Sequence, residues 1–185
     1  MFDYLAPFYD EFLSVSGRYT TKPVLENASF REDSLVLDVG GGTGHLGEKI
    51  SGSIDLDYIV LDESEKMLKR AARKDLYCII KSSSSYLPFR DEVFDYVVCV
   101  DALHHFEDKV KSLEEMMRVL KRDGVFYLLD FLPKKLVTRV ICFFERLSGE
   151  STYFCSPSEI DKYIIGSSEY RALNSFQFLL KANKN

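Results

Sequence analysis

Apolar residues fall into two alternating patterns along the chain. The short runs SLVLDV, YIVLD, YCIIK, FDYVVCV and VFYLLDF read as strands, since near-continuous apolar runs suit a sheet covered on both faces. Between them, GHLGEKIS, SEKMLKRAARK and EDKVKSLEEMMRVLKRDG repeat apolar residues every three or four positions, as amphipathic helices do. In the last, Val110, Leu113, Met116, Met117 and Leu120 share a face, lysines, glutamates and Arg118 take the other, and Gly124 is expected to form the C-terminal cap. Strands alternating with helices predict βαβ units: an α/β, Rossmann-like, doubly wound sheet with helices on both faces. Further on, KKLVTRVICFFERLSG reads as a helix with a broad apolar face, and SPSEIDKYII opens with a serine cap and a first-turn proline. YRALNSFQFLLKA predicts two short strands turning at Asn174-Ser175, which gives the mostly parallel sheet an antiparallel C-terminal strand.

A chain of 185 residues is the size of one domain. Its expected parts are an N-terminal arm (residues 1–30), a ligand-binding core (31–131) and a substrate cover with the last strands (132–185). No apolar run approaches the ~20 residues of a membrane span, so no stable insertion is expected. The opening MFDYLAPFYDEFL has acidic residues where a signal peptide needs a basic flank, which predicts a cytoplasmic protein. A net charge of −5 gives no general attraction to nucleic acid. Cys78, Cys99, Cys142 and Cys155 have neither C-x-x-C nor His-rich spacing, so free thiols and no metal site are expected.

The stretch VLDVGGGTGHLG carries the candidate chemistry. Gly42, Gly44 and Gly47 match the dinucleotide pattern G-x-G-x-x-G, but Asp38 and Gly40, Gly42 and Gly44 also form a second pattern, an acidic residue ending a strand before a glycine turn. Asp62, at the end of the next strand, is placed to accept ribose hydroxyls. To that point a dinucleotide and an adenosyl amino acid fit equally well. Asp38 separates them: its charge repels a pyrophosphate and suits an ammonium and a sulfonium, favouring S-adenosylmethionine. The alternative is that Asp38 caps the loop by accepting backbone amides. A nicotinamide-dependent reductase would need a Tyr-x-x-x-Lys pair on a helix, and the match from Tyr77 to Lys81 falls across a strand.

FDYLAPFYD, VLDVGGGTG, VLDESEKMLKRA and LPFRDEVFDYVVCVDALHHF, followed by a helix and LKRDGVFYLLDF, together resemble the class I S-adenosylmethionine-dependent methyltransferases, in particular the ubiquinone and menaquinone C-methyltransferase group. The resemblance implies that Asp38 and the turn Gly40, Gly42 and Gly44 meet the methionine portion, Asp62 the ribose and Met67 the adenine, and that Tyr9 closes over the cofactor. One departure is visible. Where the group has an aspartate that accepts from the adenine amine, this chain has Ser83, whose hydroxyl accepts without the charge, leaving Ser84 backbone as a further contact.

Methyl transfer to a phenol or ring carbon needs somewhere for a proton to go, and a histidine suits that near neutral pH. VDALHHF, after the fourth strand, offers His104 as the candidate base, with His105 second and Asp101 near the methionine or methyl group. The lack of an Asn/Asp-Pro-Pro-aromatic motif there disfavours a nucleobase or glutamine amine. Leu136, Val140, Ile141, Phe143, Phe144 and Leu147 suggest an apolar wall and hence an aromatic or lipid-like small-molecule acceptor, the alternative being that this helix only packs on the sheet. The chain is short for the group, so a reduced site, or one completed in a homo-oligomer, is expected. A non-catalytic cofactor-binding or partner-binding module is the alternative function.

Overall fold

The computed structural model describes residues 21–133 and 153–185. The element order is α1 (Thr21–Asn27), β1 (Leu35–Val39), α2 (His45–Ser51), β2 (Asp57–Asp62), α3 (Glu65–Ala71), β3 (Cys78–Lys81) and β4 (Phe94–Val100). A 3-10 turn (Leu103–His105), α4 (Lys109–Val119), β5 (Leu120–Phe131), α5 (Pro157–Ile160), a second 3-10 turn (Asp161–Tyr163), β6 (Ser167–Ala172) and β7 (Gln177–Asn183) follow. The predicted helix over residues 134–149, and the apolar wall drawn from it, lie outside the described residues, as do Tyr9 and Cys142.

The strands form one seven-stranded sheet in the order β3-β2-β1-β4-β5-β7-β6. The first five are parallel, and β7 runs antiparallel to both β5 and β6. The hairpin from β6 to β7 turns at Asn174, whose Oδ1 accepts the amides of Phe176 and Gln177. Alternate residues of each strand feed opposite cores, as the two-residue period requires. Leu37, Leu61, Val97 and Leu128 pack with Leu113, Met116 and Met117 of α4. Val36, Tyr58, Val98 and Leu129 pack with Val24, Leu46, Ile50 and Leu68 from α1, α2 and α3.

The end of α4 corrects the sequence expectation. The helix stops at Val119, and Gly124 lies within the next strand. The terminator is Lys184, whose buried ammonium donates to Met117 O at 2.9 Å and Leu120 O at 2.6 Å, satisfying carbonyls that a glycine cap would otherwise turn back upon. Leu120 is then free to pair with Phe94 on β4. The cap at Ser156 is as expected, a capping box with Glu159 ahead of Pro157.

Strand order reverses between β1 and β4, so the crevice where ligands bind opens at their carboxyl ends. The glycine turn follows β1, Asp62 closes β2, and Asp101 follows β4.

Candidate functional site

The glycine turn is anchored to β2 by its backbone: the amides of Gly40 and Gly41 both donate to Leu61 O, at 2.8 and 3.2 Å, and Gly44 donates to Gly41 O at 2.9 Å. At Gly40 (φ +77°) a Cβ would come within 2.6 Å of Ala102 Cβ, so the loop after β4 needs a glycine there. Gly42 (φ +54°) lines the cavity, and a Cβ on it would meet nothing nearer than Asp62 Oδ2 at 4.0 Å; a side chain would occupy the space a ligand needs. Gly44 faces Leu76 instead of the cavity, and Gly47 lies against the Tyr58 ring, where a Cβ would approach to 2.5 Å. The dinucleotide-like spacing is thus partly a record of how closely α2 packs on β2.

Beneath the turn lies Asp38, 2% exposed. Its Oδ2 accepts the Tyr58 hydroxyl at 2.9 Å, and its Oδ1 has no hydrogen-bond partner. The amides of Gly40, Gly41, Gly42 and Gly44 are all donated elsewhere, which removes the reading of Asp38 as the cap of those amides. Burial raises the Asp38 pKa to about 7, with the Tyr58 bond opposing the rise and the neighbouring Asp62 adding to it.

Asp62 faces the cavity from the end of β2. Oδ2 accepts the Gly42 amide at 2.9 Å and Oδ1 the Ser64 amide at 2.8 Å, so this carboxylate joins the turn to the start of α3. Burial pushes its pKa up, while the two amides pull it down. Met67, buried behind the cavity wall it helps to form, has its amide capped by Ser64 Oγ.

Residues 82–85 form another part of the wall. Ser84 and Ser85 turn their hydroxyls away toward Ser112 of α4, at 2.8 and 3.2 Å, and Ser112 Oγ bonds Asp108 O at 2.7 Å. Ser83 Oγ accepts the Ser85 amide at 3.3 Å and stays on the cavity side. Arg118 braces the next segment by donating to Leu87 O and Phe89 O and pairing with Glu115 and Asp91. This network holds the Arg118 guanidinium pKa well above its ordinary value.

Beyond β4 the two histidines part company. His105 lines the cavity with Asp101, while His104 is 2% exposed and does not lie among the cavity-lining residues described. His104 Nδ1 lies 2.7 Å from Oδ1 of Asp130, itself 2% exposed, at the end of β5. Its ring stacks on Phe154 at 4.5 Å and meets Phe131 edge-on at 5.9 Å. The expectation of His104 as base therefore meets a residue built into a buried pair. Sequence reasoning missed Asp130; the signal was an aspartate inside the apolar run VFYLLDF, where only a partnered carboxylate is tolerated. Asp101, His104 and Asp130 bring ligand atoms within 4.8 Å of one another, but the imidazole and Asp130 already satisfy each other directly. Cys78, Cys99 and Cys155 are free thiols.

The cavity occupies about 1210 Å³. Asp62, Glu63, Asp101, Glu107 and Asp108 line it, with Lys109 as a lysine on its edge, so the described wall carries an acidic excess suited to a cationic guest.

The family described as a methyltransferase domain matches residues 37–128. A Bacillus subtilis protein named as the uncharacterized methyltransferase YcgJ is 34% identical over 113 residues, 58% of this chain and 44% of its own length. The ubiquinone/menaquinone biosynthesis C-methyltransferase UbiE of Proteus mirabilis is 32% identical over 123 residues, 62% of this chain and 47% of its own. The chain thus spans about half the length of these curated relatives. Among solved structures, a Haemonchus contortus phosphoethanolamine N-methyltransferase, in complex with phosphomonomethylethanolamine and S-adenosylhomocysteine, has the same fold. Its TM-score is 0.72 at 17% identity, covering 89% of this chain and 52% of that one.

Proposed function

The chain belongs to the class I S-adenosylmethionine-dependent methyltransferases, and from that premise we propose that it methylates a small-molecule acceptor of aromatic or lipid-like character. The observation that carries the proposal is the buried Asp38 carboxylate, one oxygen open, beneath a glycine turn that leaves space for a ligand at Gly42. A pyrophosphate would meet the acidic wall, with the Asp38 charge buried beneath the turn; an amino acid cofactor bearing an ammonium and a sulfonium is attracted by both.

When bound, S-adenosylmethionine supplies a methyl group already activated by its sulfonium. The chain's task is then placement and exclusion of water. In this reading Asp38 and the turn take the amino acid end, Asp62 the ribose hydroxyls, and Met67 with Ser83 the adenine. Asp62 is preorganised for that role because the Gly42 and Ser64 amides fix both its oxygens and leave lone pairs toward the cavity. His105, on the cavity wall, takes over the proton-accepting part first assigned to His104, and the pair of His104 with Asp130 fixes the turn that presents it.

For the acceptor, support comes from the UbiE relatives, whose name specifies carbon methylation in ubiquinone and menaquinone biosynthesis. The test is release of S-adenosylhomocysteine when the protein meets S-adenosylmethionine and a panel of phenols and quinols. Product formation with one of them, lost in Asp62→Ala, is the expected result. Absence of both product and adenosyl-ligand binding would overturn the reading.

A further inference from the structure

β6 ends the sheet, and each of its residues from Ser167 to Ala172 is exposed. Among the described residues no strand pairs with its outer side. Leu173 N donates to Gln177 O at 3.0 Å, in line with the antiparallel pairing of Arg171 with Leu179 and of Glu169 with Lys181. Backbone groups alternate sides along an antiparallel strand, so Glu169 and Arg171 turn theirs inward to β7, and Ser168, Tyr170 and Ala172 turn theirs outward. The side chains of Glu169 and Arg171 share the face of the sheet toward α1, where the Arg171 guanidinium donates to Asn27 Oδ1 at 3.1 Å. Tyr170 stands on the other face and is 63% exposed. An open edge of this kind pairs with another strand unless its charges prevent it.

We propose that β6 is the contact between two copies of this chain, joined antiparallel about a two-fold axis at Tyr170 into one continuous sheet. Two copies of one edge related by such an axis meet as a self-complementary pair. Outward backbone groups must meet outward backbone groups, so the two strands can slide past each other only in steps of two residues. With Tyr170 opposite Tyr170 of the partner subunit, Ser168 faces Ala172 of the partner subunit, and the outward N–H and C=O of all three residues are paired. Glu169 then lies opposite Arg171 of the partner subunit, in the non-hydrogen-bonded position where side chains stand closest, and the two-fold axis repeats the pair. A slip of one step sets Glu169 against its own copy, and a slip the other way does the same to Arg171. The charges that guard the edge against other strands therefore admit this register. On the opposite face the two Tyr170 rings meet beside the axis. β6 supplies none of the described cavity-lining residues, so the pairing leaves the crevice of each copy as it is.

The test is sedimentation of the full chain across the micromolar range, with each variant first shown to be folded by circular dichroism. Wild-type protein is expected to dimerise. Glu169→Arg and Arg171→Glu each put like charges opposite one another, and each should weaken the dimer at least about tenfold. An equal mixture of the two variants brings opposite charges together again and should recover a dimer of one copy of each, as should the chain carrying both substitutions. Tyr170→Pro removes an outward amide, leaves the bonds to β7 intact and should give monomer. Tyr170→Cys, once oxidised, should form a disulfide between the two copies at residue 170, located by peptide mass spectrometry. A wild-type chain that stays monomeric throughout overturns the proposal and leaves the edge to a strand of another protein. A dimer indifferent to the charge reversals and to Tyr170→Pro overturns it as well, since two copies then meet elsewhere.

Discussion

The amide of Gly42 donates to Asp62 Oδ2 at 2.9 Å, so the residue proposed to hold a ribose also holds the turn proposed to admit the amino acid end. Asp62→Ala should therefore weaken S-adenosylhomocysteine by more than one lost ligand contact, by at least about tenfold, and should also destabilise the fold by about 1–3 kcal/mol because a part-buried amide loses its acceptor. Titration calorimetry and thermal unfolding of the same sample check the two effects together.

Asp38 predicts how stability follows pH. Its folded pKa, about 7, lies above the ordinary 3.8, so between those values the folded state binds more protons than the unfolded one. The group's contribution therefore falls as pH rises through this window, by at most about 1.4 kcal/mol per unit, and Asp62, shifted in the same direction, adds to the slope. Denaturant melts of ligand-free protein at several pH values should show this loss, and Asp38→Asn should flatten it.

The two neighbouring histidines should separate cleanly on mutation. His104→Ala leaves the Asp130 carboxylate buried without its partner and is expected to cost about 3–5 kcal/mol. His105→Ala should cost little stability and reduce turnover about 100-fold if it accepts the substrate proton. Unfolding curves and initial rates, measured side by side, decide the assignment; turnover unchanged in His105→Ala removes it as the base.

Ser83 faces the cavity with an uncharged acceptor. Ser83→Asp should tighten S-adenosylhomocysteine about fivefold, the difference between a neutral and a charge-assisted hydrogen bond to an adenine amine, with no such gain for a ligand lacking that amine. Comparing S-adenosylhomocysteine with its inosine counterpart tests the point.

The fold was legible because its inner parallel strands are buried on both faces, because all five parallel strands carry apolar runs, and because Asn174 marks the hairpin turn. The end of α4 was not, since its terminator, Lys184, acts from 64 positions beyond Leu120 and no local pattern announces it. Around the crevice, the positions of Asp38, Asp62 and Gly42 were legible through strand ends and a glycine turn, features fixed by neighbours in sequence. The placement of His104 and His105 was not, since which of two adjacent side chains lines the cavity depends on a 3-10 turn and on Asp130, 26 residues from His104. That Asp38 leaves the turn amides alone also required the Leu61 carbonyl, which takes two of them.

The described cavity wall draws nearly all its residues from the stretch between Gly40 and Val110, with Tyr153 and Cys155 the later contributors. The hairpin of β6 and β7, by contrast, extends the sheet at the edge beyond β5, remote from the glycine turn. Recognition of the donor and completion of the sheet are thus written in separate portions of the polypeptide. A chimaera that exchanges the β6–β7 hairpin for another sheet edge should accordingly inherit the crevice unchanged, because the hairpin supplies none of the described cavity-lining residues.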